Sequence, residues 1–284
     1  MDAVVDVAIV TFGGGAQLAD CVTALRAQGD LVGRVIVIDN ASPDDTAARA
    51  EAIAGVEVMR NPTNVGYSAA MNQAYAATSA PYLLSLNADC TLDDGYLEAC
   101  VAALQADAQT AAVTGVLRLP DGRIDSTGIT LDAAYRAHDR DRHATTPSAG
   151  RPFGVSGAAA VWRRTALAAL GTRPWWEWLF VYWDDVEIAW RLHEQGFGFA
   201  CVTAATASHR RGSDSADPDF IEAQSVRNRL ATVARHRGVA GLFAPRVALY
   251  SAYTLARLAV RHPRALRNAA PLAAIRAGLA PRVQ

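Results

Sequence analysis

Short apolar runs at residues 7–12, 34–38, 56–60 and 82–86 recur through the first part of the chain, separated by alanine-rich segments with helical spacing. That alternation leaves few folds open. Each strand is followed by a helix before the next strand, which predicts an α/β fold with a mostly parallel sheet covered by helices. With 284 residues and 51% hydrophobic side chains, the chain can bury one large core, or a core plus an appendage. Ligand-binding atoms of such sheets gather outside the carboxyl ends of the strands. Polar clusters occupy those positions at residues 11–15, 39–45, 61–67 and 87–91.

The second strand ends in VIVIDNASPDDT, placing Asp39 at a strand end. A carboxylate there accepts hydrogen bonds from a pyrimidine ring N–H or a ribose hydroxyl, or else, with Ser42, organises the turn and caps the next helix. The third ends in RNPTNVGY, where Asn64 and Gly66 let the backbone turn sharply and approach a ligand. The fourth gives YLLSLNADCT, a buried run that stops on Asn87, Ala88 and Asp89. A strand-end carboxylate can hold a hard divalent cation that also binds diphosphate oxygens, although an aspartate there is ordinarily a turn residue.

The strongest local signal is FVYWDDVEIAWRL, in which Asp184 and Asp185 open an amphipathic helix over residues 185–195 that Gly196 ends. The flanking aromatics desolvate a carboxylate and raise its pKa, which suits a general base near neutral pH. Asp184 can equally be a simple helix cap. Further on, SHRRGS sets His209 beside Arg210 and Arg211 in a turn ending at Gly212 and Ser213, a group able to serve a diphosphate.

Between these motifs, residues 119–152 lose periodicity and read as an irregular surface excursion, and residues 153–162 read as a Gly/Ala-rich strand. From residue 223 the pattern is helical, broken near Gly238, Pro245 and Pro263. Although the formal net charge is −1, eleven arginines and no acid follow from Arg227 onward. Such a basic tail either meets an anionic surface, phospholipid or the diphosphate of a lipid-linked substrate, or forms a solvated helical face. Residues 239–260 are interrupted by Pro245, Arg246 and Arg257 and do not read as a membrane span. Cys21, Cys90, Cys100 and Cys201 lack metal-ligand spacing, and the acids near the N-terminus do not fit a secretory signal, so reduced thiols in the cytoplasm are expected.

Taken in order, from about Val7 to Arg229, these motifs together with GVSGAAAVWRR resemble the family-two glycosyltransferases of GT-A fold, within them the bacterial rhamnosyltransferase-like branch acting on lipid-linked glycans. The resemblance implies a GT-A catalytic domain over residues 1–222, with a nucleotide-binding half to about 118 and an acceptor half beyond it. A C-terminal helical basic extension would cover residues 223–284. It implies that Thr11 and Asp39 hold the donor base, that Asn64 and Gly66 lie along its ribose and diphosphate with Asn87 and Ala88 beside them, and that Asp89 binds Mg²⁺ or Mn²⁺ with His209 as a further ligand. Asp185 is the implied base, with Gly157, Ala158, Asp184, Trp175 and Trp176 on the acceptor side.

Three positions depart from the family pattern: Asp184 stands where Glu is usual, Asn87 replaces the first acid of D-x-D, and GTRPWWEW replaces G-G-F-D-E ahead of the base. The implied reaction is an inverting transfer, with dTDP-rhamnose the expected donor among dTDP- and UDP-sugars. The acceptor is a polyprenyl-linked or other cell-envelope glycan or a soluble small molecule, met in the cytoplasm or at the inner face of the plasma membrane. No nucleic-acid partner is expected. Two rivals remain at this level. A nucleotidyltransferase would need a basic residue beside the glycines at 13–15, yet the chain has no lysine at all. A non-catalytic sugar-binding or scaffold protein would keep the fold and lose the base.

Overall fold

The computed structural model describes residues 4–211, 217–261, 263 and 270–280. Its strands are β1 (Val5–Thr11), β2 (Val32–Asp39), β3 (Glu57–Arg60), β4 (Tyr82–Leu86), β5 (Cys90–Leu92), β6 (Thr110–Arg118), β7 (Ile124–Ser126), β8 (Ile129–Leu131), β9 (Ala137–Asp139), β10 (Ala159–Arg163) and β11 (Gly198–His209). The helices are α1 (Leu18–Arg26), α2 (Thr46–Glu51), α3 (Tyr67–Ala77), α4 (Tyr96–Ala106), α5 (Arg164–Ala168), α6 (Asp184–Glu194), α7 (Pro218–Leu242), α8 (Pro245–Arg261) and α9 (Pro271–Leu279).

The main sheet runs β3-β2-β1-β4-β10-β6-β11-β5, with β7 added beside β6. Pairing is parallel from β3 through β4 and between β6 and β11, while β10 lies antiparallel to both β4 and β6. Both faces are covered. Val5, Val7 and Ile9 of β1 point with Val35 and Val37 of β2 toward α1 and α4, whereas Ala8, Ile36 and Ile38 face α3, α5 and α6. Burial on two sides explains why these strands read as continuous apolar runs rather than alternating ones.

Three expectations change here. Residues 119–152 are not a plain surface excursion, because they contain β7, β8 and β9, and Asp125, Ser126 and Thr127 are fully buried. The expected strand over 153–162 contracts to β10, leaving residues 153–158 as connecting chain. The C-terminal helices begin ahead of residue 223, at Pro218, where the Asp217 side chain caps the helix by accepting from Asp219 N at 3.0 Å. Gly238 kinks α7 with a φ of 63°, and α8 starts at Pro245, as the breaks in the pattern predict.

The tail arginines are unequally placed. Arg229 is buried and donates to the carbonyls of Tyr135 and Ala134, Arg227 lies 3.6 Å over the Trp178 ring, and Arg235 pairs with Glu187 while covering Trp176. These three arginines therefore tie α7 to the preceding part of the chain. Arg246 and Arg276 face outward. Among the described residues, no helix is long and apolar enough to cross a membrane.

Candidate active site

Chain order reverses between β1 and β4: β2 and β3 step away on one side, and β4 returns on the other. Ligands of open α/β sheets bind beyond the strand ends at such a point. A cleft of about 960 Å³ opens there, lined by the ends of β1 and β4, the turn before α3, the turn before α6 and residues 156–158.

One wall is made of the loops after β1, β2 and β3. Thr11 lines it, and its hydroxyl donates to Ile38 O at 3.3 Å. Gly13 N donates to Ser42 Oγ at 2.8 Å and Gly15 N to Thr46 Oγ1 at 2.9 Å, stitching the first loop to the second. Asp39 is buried behind this wall, accepting from Ser42 N at 3.3 Å, and its neighbour Asn40 reaches the cleft. Asn40 Nδ2 donates to Gly66 O at 3.1 Å, while Asn64 Oδ1 accepts from Gly66 N at 2.9 Å. Gly66 has a φ of 86°, and a Cβ there would lie 2.5 Å from the Phe180 ring, so glycine is required twice over.

The floor is formed by Asn87, Ala88 and Asp89, with Asn87 N bonded to Ala158 O at 2.9 Å. His209, at the end of β11, puts Nε2 3.3 Å from Asp89 Oδ1 and Nδ1 2.7 Å from Oδ2 of the buried Asp125. Arg211 contacts the other oxygen of Asp125 at 2.6 Å and reaches Asp139 at 2.7 Å. Burial by itself lowers the His209 pKa, but the hydrogen bonds to Asp125 and Asp89 outweigh it and raise the value to about 9. Gly212 and Ser213 of the same motif lie outside the described residues.

A carboxylate oxygen and an imidazole nitrogen at the cleft edge form a donor set that suits Mg²⁺ or Mn²⁺. With Nδ1–H donated to Asp125, His209 would offer an Nε2 lone pair on the Asp89 side once a cation displaced the proton that the two carboxylates otherwise hold on the ring. Among the described residues no group of three or more His, Cys, Asp and Glu side chains is arranged to hold a metal ion. A cation held by Asp89 and His209 would therefore take its remaining ligands from water and the donor's phosphates.

The facing wall is a strained turn. Phe180, Tyr182 and Trp183 have φ values of 66°, 65° and 68°, in the left-handed region that bulky residues avoid. The turn delivers Asp184 and Asp185 to the first turn of α6, both lining the cleft. It is held from α7: the buried Asn228 amide donates to the carbonyls of Leu179, Val181 and Tyr182 at 2.8, 2.9 and 2.7 Å, and Gln224 donates to Leu179 O at 2.6 Å. Ser68 N adds a bond to Phe180 O at 3.2 Å. Burial raises the Asp184 pKa to about 6. Asp185 is also raised, by burial first and then by the negative charge of Asp184.

Gly157 and Ala158 line the cleft beside Tyr67, whose hydroxyl would lie 3.3 Å from a Cβ at Gly157. The expectation for Trp175 and Trp176 is corrected. Trp175 is buried edge-on against Trp162 and Tyr75, with its backbone N bonded to Asn72 Oδ1 at 3.0 Å. Trp176 stacks on Trp178 beneath Arg235. Neither ring reaches the cleft, since each has a packing partner that the linear motif does not reveal. Asp125 and Asn228 went unread in the sequence: Asp125 falls in a stretch without periodicity, and Asn228 is one polar side chain within a helix.

The family described as Glycosyl transferase family 2 matches residues 6–170 of the chain. No curated protein matches the sequence. Solved structures share the fold at low identity. GalNAc-T7 with UDP, GalNAc and Mn²⁺ aligns with a TM-score of 0.64 and 16% identity, over 82% of this chain and 48% of that one. The mannosyltransferase PcManGT from Pyrobaculum calidifontis, with GDP-Man and Mn²⁺, gives 0.60 and 19%, over 98% and 76%. S. aureus TarS gives 0.58 and 12%, over 90% and 42%. The chain thus spans about half the length of GalNAc-T7 and less of TarS.

Proposed function

Because the chain belongs to glycosyl transferase family 2, we propose that it transfers a sugar from a nucleotide-diphosphate donor to an acceptor hydroxyl, with inversion at the anomeric carbon. The observation that carries this reading is that one cleft, at the reversal of strand order, is lined by both the Asp89–His209 pair and the desolvated Asp184–Asp185 pair. The fold neighbours crystallised with UDP or GDP-Man and Mn²⁺ support a nucleotide-sugar donor and a divalent cation.

In the proposed mechanism, the turn before α6 holds Asp185 against the acceptor. Its carboxylate takes the hydroxyl proton as that oxygen attacks the anomeric carbon, and the bond to the nucleoside diphosphate breaks. Carbon–oxygen bond formation and cleavage on opposite faces invert the centre, through a state with oxocarbenium character. The raised pKa of Asp185, caused by burial and then by the charge of Asp184, makes it a stronger base than an exposed aspartate. What a cation held by Asp89 and His209 supplies is positive charge against the departing diphosphate. Asn64, Gly66 and Asn40 shape the wall along which the nucleotide lies. Sequence resemblance supports dTDP-rhamnose as donor and a polyprenyl-linked glycan as acceptor, met in the cytoplasm at the inner face of the plasma membrane.

Nucleotide release is the test, measured with dTDP-, UDP- and GDP-sugars in the presence of Mg²⁺ or Mn²⁺ for the wild type and Asp185→Asn. Loss of the base is expected to lower turnover about 10²- to 10⁴-fold while donor affinity stays near wild type. Undiminished turnover removes Asp185 from the base role, and failure of every donor to bind overturns the enzyme reading.

A further inference from the structure

Helix α8 turns its apolar side outward. Val247, Thr254 and Leu258 are buried toward the rest of the C-terminal helices, whereas Leu249 is 74% exposed, Tyr253 58% and Val260 83%. At 100° per residue these three fall on a single stripe with the exposed Ala252 and Ala256, and Arg246 and Arg257 run along one of its edges. From Leu249 to Val260 the stripe extends about 17 Å at the helical rise per residue. Phe243, at the turn from α7, is also exposed, at 75%. Scattered exposed apolar residues are ordinary on a protein surface, but an unbroken stripe along the outer face of a helix marks a binding surface.

Helix α8 itself carries arginine and no acid. Glu222 is the last acid of the sequence, and Arg257 is paired with it. Arg246 is exposed on the stripe's edge, and Arg276 is exposed on α9. Because Arg227, Arg229 and Arg235 of α7 are used inside the molecule, the exposed arginines of this region, among the described residues, are Arg237, Arg246 and Arg276 rather than the basic tail as a whole.

We propose that the outer face of α8 is a membrane-surface site. The helix lies in the interfacial plane of an anionic bilayer, with Leu249, Tyr253 and Val260 at the acyl boundary and Arg246 at the level of the lipid phosphates. Charge selects this occupant over a second copy of the chain. Two α8 stripes brought together would set arginine edges near each other with no acid on either helix to answer them. The surface stands independently of the reaction assigned to the cleft, and donor turnover is measured separately from it.

Co-sedimentation of the full chain with phosphatidylcholine vesicles, with and without phosphatidylglycerol, tests the proposal. The variants are Leu249→Glu and Val260→Glu, singly and combined, at exposed positions where a polar side chain leaves the packed face of α8 intact. The wild type is expected to bind the phosphatidylglycerol vesicles, and the double variant at least ~10-fold less, with nucleotide release from the donor unchanged. Equal binding by wild type and double variant overturns the proposal, as does no wild-type binding or no preference for phosphatidylglycerol. A concentration-dependent dimer in light scattering that Leu249→Glu abolishes would assign the stripe to a second copy of the chain instead.

Discussion

The two walls of the cleft are held in opposite ways. On the donor wall, short polar side chains bind backbone groups of neighbouring strand-end loops: Asn64 closes on Gly66 two residues away, and Ser42 and Thr46 hold the glycines after β1. On the facing wall, which carries the proposed base, three bulky residues have positive φ; Val181 N closes the turn at Phe180 by donating to Leu179 O at 2.8 Å, and further support comes from Asn228, between 46 and 49 residues along. The first wall has a single non-glycine residue at positive φ, the small Ala41, and is tied between adjacent loops, while the other holds three bulky residues at positive φ and is braced from a distant helix. Strain of this kind persists only where surrounding structure over-determines it, and here it fixes the direction in which Asp185 points.

Gly66 is where the walls touch, so Gly66→Ala should have the largest effect. The new Cβ would meet the Phe180 carbonyl oxygen at 2.7 Å and its ring at 2.5 Å, at a backbone φ of 86° that L-residues rarely adopt. We expect a stability loss of about 2–4 kcal/mol together with loss of donor binding and turnover, measured by urea denaturation and nucleotide titration. A Gly66→Ala protein with near-wild-type stability would mean that the walls are not coupled there.

Asn228→Ala separates the walls. Losing this amide removes the side-chain donor from the part-buried carbonyls of Val181 and Tyr182, while Leu179 O keeps Gln224, at about 1–3 kcal/mol for a group left unsatisfied. Turnover should fall by about 10²-fold, with nucleotide affinity within about 2-fold of wild type, as expected when a reacting group is misplaced but the donor wall stays intact. A parallel fall in nucleotide affinity would show that the strain is shared by both walls.

This difference also governs what the sequence reveals. The donor wall is legible because strand ends and turn formers are adjacent in the chain, so Thr11, Asn64, Gly66, Asn87, Ala88 and Asp89 are read as a site and meet in one cleft. Asp185 is legible from the helix it begins. What holds these groups is not legible. The buried Asp125 that anchors His209 comes from a segment without periodicity, because β7 is only three residues long and pairs at one edge of β6. The strain at residues 180–183 leaves no mark in residue type, since aromatic side chains do not advertise positive φ, and Trp175 looks like a sugar platform until Trp162 and Tyr75 are seen against it.

The acid pair gives the base wall a pH signature that the donor wall lacks. Asp184 takes up protons more readily in the folded chain than in the unfolded one, with its pKa raised from 3.8 to about 6. The folded state therefore binds more protons across that window, and stability falls as pH rises through it. Asp184→Asn should accordingly stabilise the protein by on the order of 2 kcal/mol at pH 8 and by much less at pH 4, measured by urea denaturation at both pH values. For the wild type, turnover should drop on acidification along a limb displaced above the ordinary carboxylate range, because the proposed base, Asp185, must be ionised and burial raises its pKa. An equal gain from Asp184→Asn at both pH values would mean that the carboxyl is solvated and the wall open.

The smallest effect is expected outside both walls, at Trp176. Its ring lies 5.4 Å from that of Trp178 and 4.1 Å beneath Arg235, which also pairs with the buried Glu187 one turn beyond the base. Trp176→Phe keeps an aromatic face for the guanidinium and should cost about 0.5–1 kcal/mol of stability, read from the urea midpoint, while leaving the KM for acceptor unchanged. A ring that stacks on an acceptor sugar would instead raise KM severalfold on the same substitution with little change in stability. That outcome would move the base wall outward to include the tryptophans and make acceptor recognition part of what α7 braces.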